Sequence, residues 1–128
     1  MAVLTANKYN LEMWQGATFA MTITVKDSTA NVQNLTSYTA RMQIRRNYDS
    51  GTATETLTTA NGEITITAAE GNVAIELAST RTANISVDLT DGKPPRTVYV
   101  YDLELIDGDG KVSKLLYGDV NVYGEVTR

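Results

Sequence analysis

Thr97–Tyr123 reads TVYVYDLELIDGDGKVSKLLYGDVNVY, and its pattern decides the fold class. From Val98 to Ile106 the side chains fall into two alternating sets. Tyr99, Tyr101, Leu103 and Leu105 form one; Val98, Val100, Asp102, Glu104 and Ile106 form the other. Successive side chains of a strand point to opposite faces, so the first set predicts a core-facing row. The second predicts a half-exposed face, apolar at its ends and acidic in the middle. Asp107-Gly108-Asp109-Gly110 supplies residues that tolerate positive φ, which a tight hairpin loop requires. The return strand, Lys111–Tyr123, loses its alternation at Leu115-Leu116, with Gly118 just beyond. That slip predicts a β-bulge, which turns Val120 and Val122 to the opposite face from Val112.

The same alternation recurs upstream in shorter, threonine-rich runs. In Ala17–Lys26, Phe19, Met21, Ile23 and Val25 alternate with Thr18, Ala20, Thr22 and Thr24. In Thr39–Arg46, Ala40, Met42 and Ile44 follow Tyr38 on one side, while Arg41 and Arg45 take the other. Thr54–Thr58 reads as an edge strand, and Ala60-Asn61-Gly62 as a hairpin turn into Glu63–Thr67. Glu70-Gly71-Asn72 turns into Val73–Leu77. Ala78–Leu89 has room for one or two helical turns, capped by Ser79 or Thr80, with Ala83, Val87 and Ile85 inward. Asp91–Arg96 reads as a rigid loop because Pro94 and Pro95 cannot join a ladder, so the last hairpin starts after them. Tyr9–Met13 predicts a first strand, and residues 1–8 a flexible arm ahead of a single domain over residues 9–128. Seven or eight strands with turns about ten residues apart predict an all-β, antiparallel β-sandwich with at most one short helix.

Composition narrows the chemistry. The chain contains no cysteine and no histidine, which removes thiolate nucleophiles, disulfides, and the commonest general base and metal ligand. No Ser–Lys or threonine-based nucleophile motif is present, so the residues predict a non-enzyme with no cofactor. Asp102 and Glu104 read as a solvated strand face. Asp107, Asp109 and Asp119 could meet a cation, but the spacing lacks the third acid and distal glutamate of a calcium loop, and turn chemistry is the preferred explanation of the same residues. The net charge of −4 argues against a nucleic-acid partner, and no apolar run is long enough for a membrane helix. The start MAVLTANKYN lacks the pattern of a secretory signal, which predicts synthesis in the cytoplasm without export by that route.

Three segments, in this order, carry a resemblance. They are Gln15-Gly16-Ala17-Thr18-Phe19 with Lys26-Asp27; Leu35-Thr36-Ser37-Tyr38-Thr39-Ala40-Arg41-Met42-Gln43-Ile44-Arg45; and Tyr101-Asp102-Leu103-Glu104-Leu105 with Gly110-Lys111-Val112 and Leu116-Tyr117-Gly118-Asp119-Val120. Together they resemble small structural proteins of tailed-bacteriophage virions, and are similar to the N-terminal module of phage baseplate upper proteins. The resemblance implies an immunoglobulin-like sandwich used as a virion building block. It would be a tail, baseplate or fibre-base component, or a capsid decoration, contacting other virion proteins and further copies of itself. The chain departs from the pattern at Ser37, where the pattern has glycine, and in the DGKPPR insertion before the hairpin. No catalytic residue carries over.

Five residues are therefore the candidates for protein–protein contact. Val98, Val100 and Ile106 lie on the half-exposed face of the hairpin, Tyr48 at a loop tip, and Trp14 is the sole tryptophan, expected to pack over one end of the core. The alternative function is a carbohydrate- or cell-surface-binding sandwich, which needs Trp14, Tyr48 and Tyr117 exposed together as stacking platforms.

Overall fold

Nine strand segments, one α-helical turn and a 3-10 turn at Ala68–Glu70 are seen in the computed structural model, which describes residues 6–88 and 95–127. In chain order they are β1 (Asn7–Lys8), β2 (Leu11–Trp14), β3 (Phe19–Thr24), β4 (Thr39–Arg45), β5 (Glu55–Thr58), β6 (Ile64–Thr67), β7 (Asn72–Leu77), α1 (Ser79–Thr82), β8 (Arg96–Ile106) and β9 (Val112–Tyr123). The larger sheet runs β1–β9–β8–β4–β5, with β2 also on β9; the smaller runs β3–β7–β6. Facing sheets in this order make the chain an all-β sandwich.

The hairpin that dominates the sequence occupies the middle of the larger sheet. Tyr99, Tyr101, Leu103 and Leu105 are all buried, as their alternation requires. Leu103 pairs with Leu116 but Glu104 pairs with Lys114, so Leu115 is the extra residue of a bulge. Leu115 and Leu116 are consequently both buried, and Val120 and Val122 face the core while Val112 faces solvent. Against this layer the smaller sheet sets Val73, Ile75 and Leu77 of β7 and Ile64 of β6. Leu11, Met13, Ala40, Met42, Ile44 and Leu57 complete the inner face of the larger sheet. Each buried valine, leucine, isoleucine or methionine here contributes about 1.5–3 kcal/mol through removal from water.

Several expectations are corrected. The sandwich is not wholly antiparallel: β1 and β2 lie parallel to β9, two pieces of one edge strand interrupted at Tyr9-Asn10. A parallel neighbour needs a long crossover, and here everything from β3 to β8 supplies it. The Ala60-Asn61-Gly62 turn does not make a hairpin. β5 pairs with β4 and β6 pairs with β7, so this turn carries the chain from one sheet to the other. Asn61 Oδ1 accepts from the N–H groups of Thr58 and Glu63, each at 3.1 Å. Those bonds are local and say nothing about which strand comes next as a partner. The helical segment is a single turn without a side-chain cap; Ala83 is exposed, while Thr82 and Ile85 are fully buried. Asn7 and Lys8 belong to β1, and residues 1–5 of the expected arm lie outside the described residues. Most of the DGKPPR loop lies outside them too; β8 begins at Arg96, directly after Pro95.

Ser37 has φ of 70°, in the left-handed region that glycine adopts without steric cost. It precedes β4 and sits under Gly108 of the β8–β9 turn, where an added Cβ on the glycine would stand 3.1 Å from the Ser37 Cβ.

Candidate interaction surface

The outer face of the larger sheet is organised in cross-strand rows that the ladders define. Trp14, Tyr123 and Arg96 form the first row; Glu12, Asn121 and Val98 the second. Asp119, Val100 and Arg45 follow, then Lys8, Tyr117, Asp102 and Gln43, and next Lys114, Glu104 and Arg41. Val112, Ile106 and Thr39 end the face beside the hairpin turn.

Trp14 does not pack over the core. It alternates with buried Met13 on β2, so its ring falls on the outer face, 49% exposed, and stacks on Tyr123 with centroids 4.6 Å apart. The Tyr123 hydroxyl donates to Glu12 Oε2 at 2.7 Å, and that bond holds the phenol's pKa above its ordinary value. Val98 and Val100 continue the apolar surface onto β8, each half-buried. Beside Val100, Tyr48 projects from the β4–β5 loop, 77% exposed, over an open hollow of about 160 Å³ that Gln43, Arg45 and Asp102 also line. Arg45 is fixed there by bonds to Ser50 O and Gln43 Oε1, each 2.8 Å.

A belt of charge crosses the middle of the face. Lys114 Nζ lies 3.0 Å from Asp102 Oδ2, and Arg41 Nε lies 2.7 Å from Glu104 Oε1. The hydrogen bond to Asp102 raises the Lys114 pKa. Asp102 and Glu104 thus each hold a cation and do not face one another across a cleft. Ile106 lies beyond this belt, about 20 Å along the strand from Val100 at ~3.4 Å per residue. Its neighbour there is Val112, itself exposed. Of the five candidate contact residues, Val98, Val100, Tyr48 and Trp14 share one half of the face, and Ile106 belongs to a second, smaller patch.

The turn carboxylates do turn chemistry. Asp107 Oδ1 accepts from the N–H groups of Asp109 and Lys111 at 2.9 Å each. Asp119 is opposite Val100 in the ladder, far from that turn, and among the described residues no three carboxylates gather where a metal could bind.

No protein-family model matches the chain, and no curated protein matches it. What this face can do is therefore read from its residues. It offers an apolar half with two aromatic rings and two valines, a belt of two ion pairs, and a second apolar spot.

Sequence reasoning missed Tyr123 and Val112 as members of the surface. The facing of Tyr123 depends on the bulge at Leu115, for which the slip in alternation at Leu115-Leu116 is the signal, and that of Val112 follows from its pairing with Ile106. Tyr117, a proposed platform partner for Trp14, instead shares a row with Asp102, about 20 Å along β9 from Tyr123.

Proposed function

We propose that this chain is a non-enzymatic structural protein of a tailed-bacteriophage virion, working through protein–protein contacts. The observation that carries the reading is the outer face of the larger sheet. Valines on the central strand of the sheet, half-buried beside an exposed aromatic stack, form a surface that gains by being covered. The ion pairs Arg41–Glu104 and Lys114–Asp102 border it as a polar rim would. The segmental resemblance to phage structural proteins supports the same reading. So does Ser37, whose positive φ falls where that pattern carries glycine.

Mass spectrometry of purified virions tests the assignment directly, and absence of peptides from this chain sinks it. Copy number per virion then separates a tail or baseplate component from a capsid decoration, which is present in far more copies. Val100→Asp places a carboxylate beside Asp102 and Asp119 at the centre of the surface. The variant is expected to fold, because the position is half-exposed, and to be excluded from assembled particles. Incorporation at the wild-type level would rule out this face as the contact.

The exposed Trp14–Tyr123 stack is the specific feature that favours a glycan-binding alternative, since sugars pack on such rings. A glycan array with Trp14→Ala as control decides between the two.

A further inference from the structure

We propose that β3 is a self-pairing edge, through which two copies of the chain join their smaller sheets into one six-stranded sheet about a two-fold axis at Thr22. The inference rests on the edge itself and is independent of the virion assignment.

Four strand edges border the two sheets among the described residues, and three are guarded in the ways that prevent edge-to-edge pairing. The β1·β2 edge is interrupted at Tyr9-Asn10 and carries Lys8 and Glu12. β5 is four residues long and begins with Glu55. β6 is equally short and follows Glu63, which is paired with Arg81. β3 differs on every count. Its six residues, Phe19-Ala20-Met21-Thr22-Ile23-Thr24, include no charge, no proline and no glycine.

The main chain of this edge is available for bonding. The Val25 N–H donates to Gly71 O at 2.8 Å, on the β7 side. By the two-residue alternation of an antiparallel ladder, the odd-numbered groups of β3 face β7. Those of Ala20, Thr22 and Thr24 face the open side. The inward side chains Phe19, Met21 and Ile23 remain half-exposed, unlike the fully buried Val73 and Leu77 across the ladder. Next to them an apolar groove of about 280 Å³, lined by Tyr9, Met21, Thr22, Ile23 and Leu116, opens to solvent.

A second copy of β3 fits both features. With Thr22 opposite Thr22, Ala20 faces Thr24 in hydrogen-bonded pairs, and all three open positions on each strand are satisfied. The same register sets Met21 against Ile23 on the inward side, where they continue the apolar layer over the groove. Charge is compatible throughout. The first charged residues past the strand, Lys26 and Asp27, fall opposite Thr18 and Ala17 of the other copy. A single six-residue ladder is smaller than the ~1,200 Å² of a standard stable interface, so the dimer forms reversibly and depends on concentration.

Sedimentation equilibrium across a wide concentration range tests this on the full chain. The wild type is expected to show a monomer–dimer equilibrium. Thr22→Lys, which puts like charges opposite each other at the axis, should weaken it at least ~10-fold, with the circular dichroism unchanged. The chain has no cysteine, so Thr22→Cys provides an independent check. Hydrogen-bonded partners sit with Cα atoms ~5.5 Å apart, within disulfide reach, so Thr22→Cys should oxidise to a covalent dimer. Ala20→Cys, opposite Thr24, should not. A chain that stays monomeric throughout, a dimer indifferent to Thr22→Lys, or equal cross-linking at both cysteine positions would overturn the proposal.

Discussion

The two long seams of the sandwich are closed by different means, and only one is closed completely. Along the β5/β6 seam a cation from α1 reaches across. Arg81 Nη1 bonds Glu63 Oε2 on the smaller-sheet side at 2.6 Å, while Nε and Nη2 hold Glu55 of the larger sheet. The two carboxylates are 10% and 15% exposed, and Glu63 Oε1 is buried with no hydrogen-bond partner among the described residues. Along the β2/β3 seam no ion pair spans the sheets among the described residues, and Met21 and Ile23 stay half-exposed beside Tyr9. One seam has spent its polar groups on itself. The other keeps main-chain groups and apolar side chains free. Edges of the second kind are where assembly or aggregation starts, so the difference locates the side of the molecule that can accept another strand.

The sharpest way to break the comparison is to open the closed seam. Arg81→Ala removes the shared cation and leaves two mostly buried carboxylates facing each other. Removing one partner of a fully buried pair costs about 3–5 kcal/mol, and solvent access to Arg81, 39% exposed, brings this down to about 2–3 kcal/mol. Urea denaturation near neutral pH should show it. The Glu55→Gln/Glu63→Gln/Arg81→Met triple variant should recover most of the loss, because neither charge is left buried. If Arg81→Ala unfolds at the wild-type urea midpoint, the seam is held by packing alone.

At the open seam the expected cost is smaller and its cause is steric. Gly118 of β9 lies beneath the Tyr9-Asn10 break, where an added Cβ would stand 2.6 Å from Tyr9 O and 2.8 Å from Asn10 Oδ1. Gly118→Ala must push β1 away and disturb the bond by which Asn10 Oδ1 accepts from the Asp119 N–H. About 2 kcal/mol is expected, in the range for overpacking, and hydrogen exchange should rise at Tyr9 and Asp119 before it rises in β4. Uniform exchange across both seams would mean that the β1·β2 edge is not the weaker one.

The strands were largely legible because their alternation is a local consequence of burial on one side. β8 shows this best: the four inward residues read directly from sequence, Tyr99, Tyr101, Leu103 and Leu105, are all buried. The bulge was legible too, since two adjacent leucines cannot both be buried on a regular strand. What was not legible was the pairing of strands and the traffic between sheets. Asn61-Gly62 carries turn chemistry that a hairpin and a crossover share, and only the inward placement of Leu57 and Ile64 in opposite sheets distinguishes them. Trp14 was misplaced for a related reason. Its size argued for burial, but parity with Met13 on β2 settled its direction, and that parity required knowing where the strand begins. The candidate surface was half legible: Val98 and Val100 follow from alternation, whereas Tyr123 follows from the bulge and Tyr48 from a loop path that no periodicity encodes.

The smallest predicted effect separates the seams by their chemistry. Tyr101 rises from the core side of β8, and its hydroxyl donates to Tyr9 O at 2.6 Å, tying the broken edge strand to the sheet. Burial, with Tyr9 nearby, raises the phenol's pKa well above its ordinary value, and burial raises that of Tyr99 as well. Each phenol therefore keeps its proton in the fold at a pH where the unfolded chain has released it. Unfolding then releases protons, so stability is intact below about pH 10 and falls as pH rises above it. Tyr101→Phe loses a single hydrogen bond and should cost about 1 kcal/mol at neutral pH. Above pH 10 the variant has one fewer phenol to ionise on unfolding, so its stability should fall less steeply and the gap to wild type should narrow. The Arg81 clamp holds a guanidinium that does not titrate there, so Arg81→Ala should keep its full deficit over the same range. Urea midpoints from pH 7 to pH 11 measure both differences. Parallel curves for wild type and Tyr101→Phe would show that the Tyr101 phenol is not what protects the open seam.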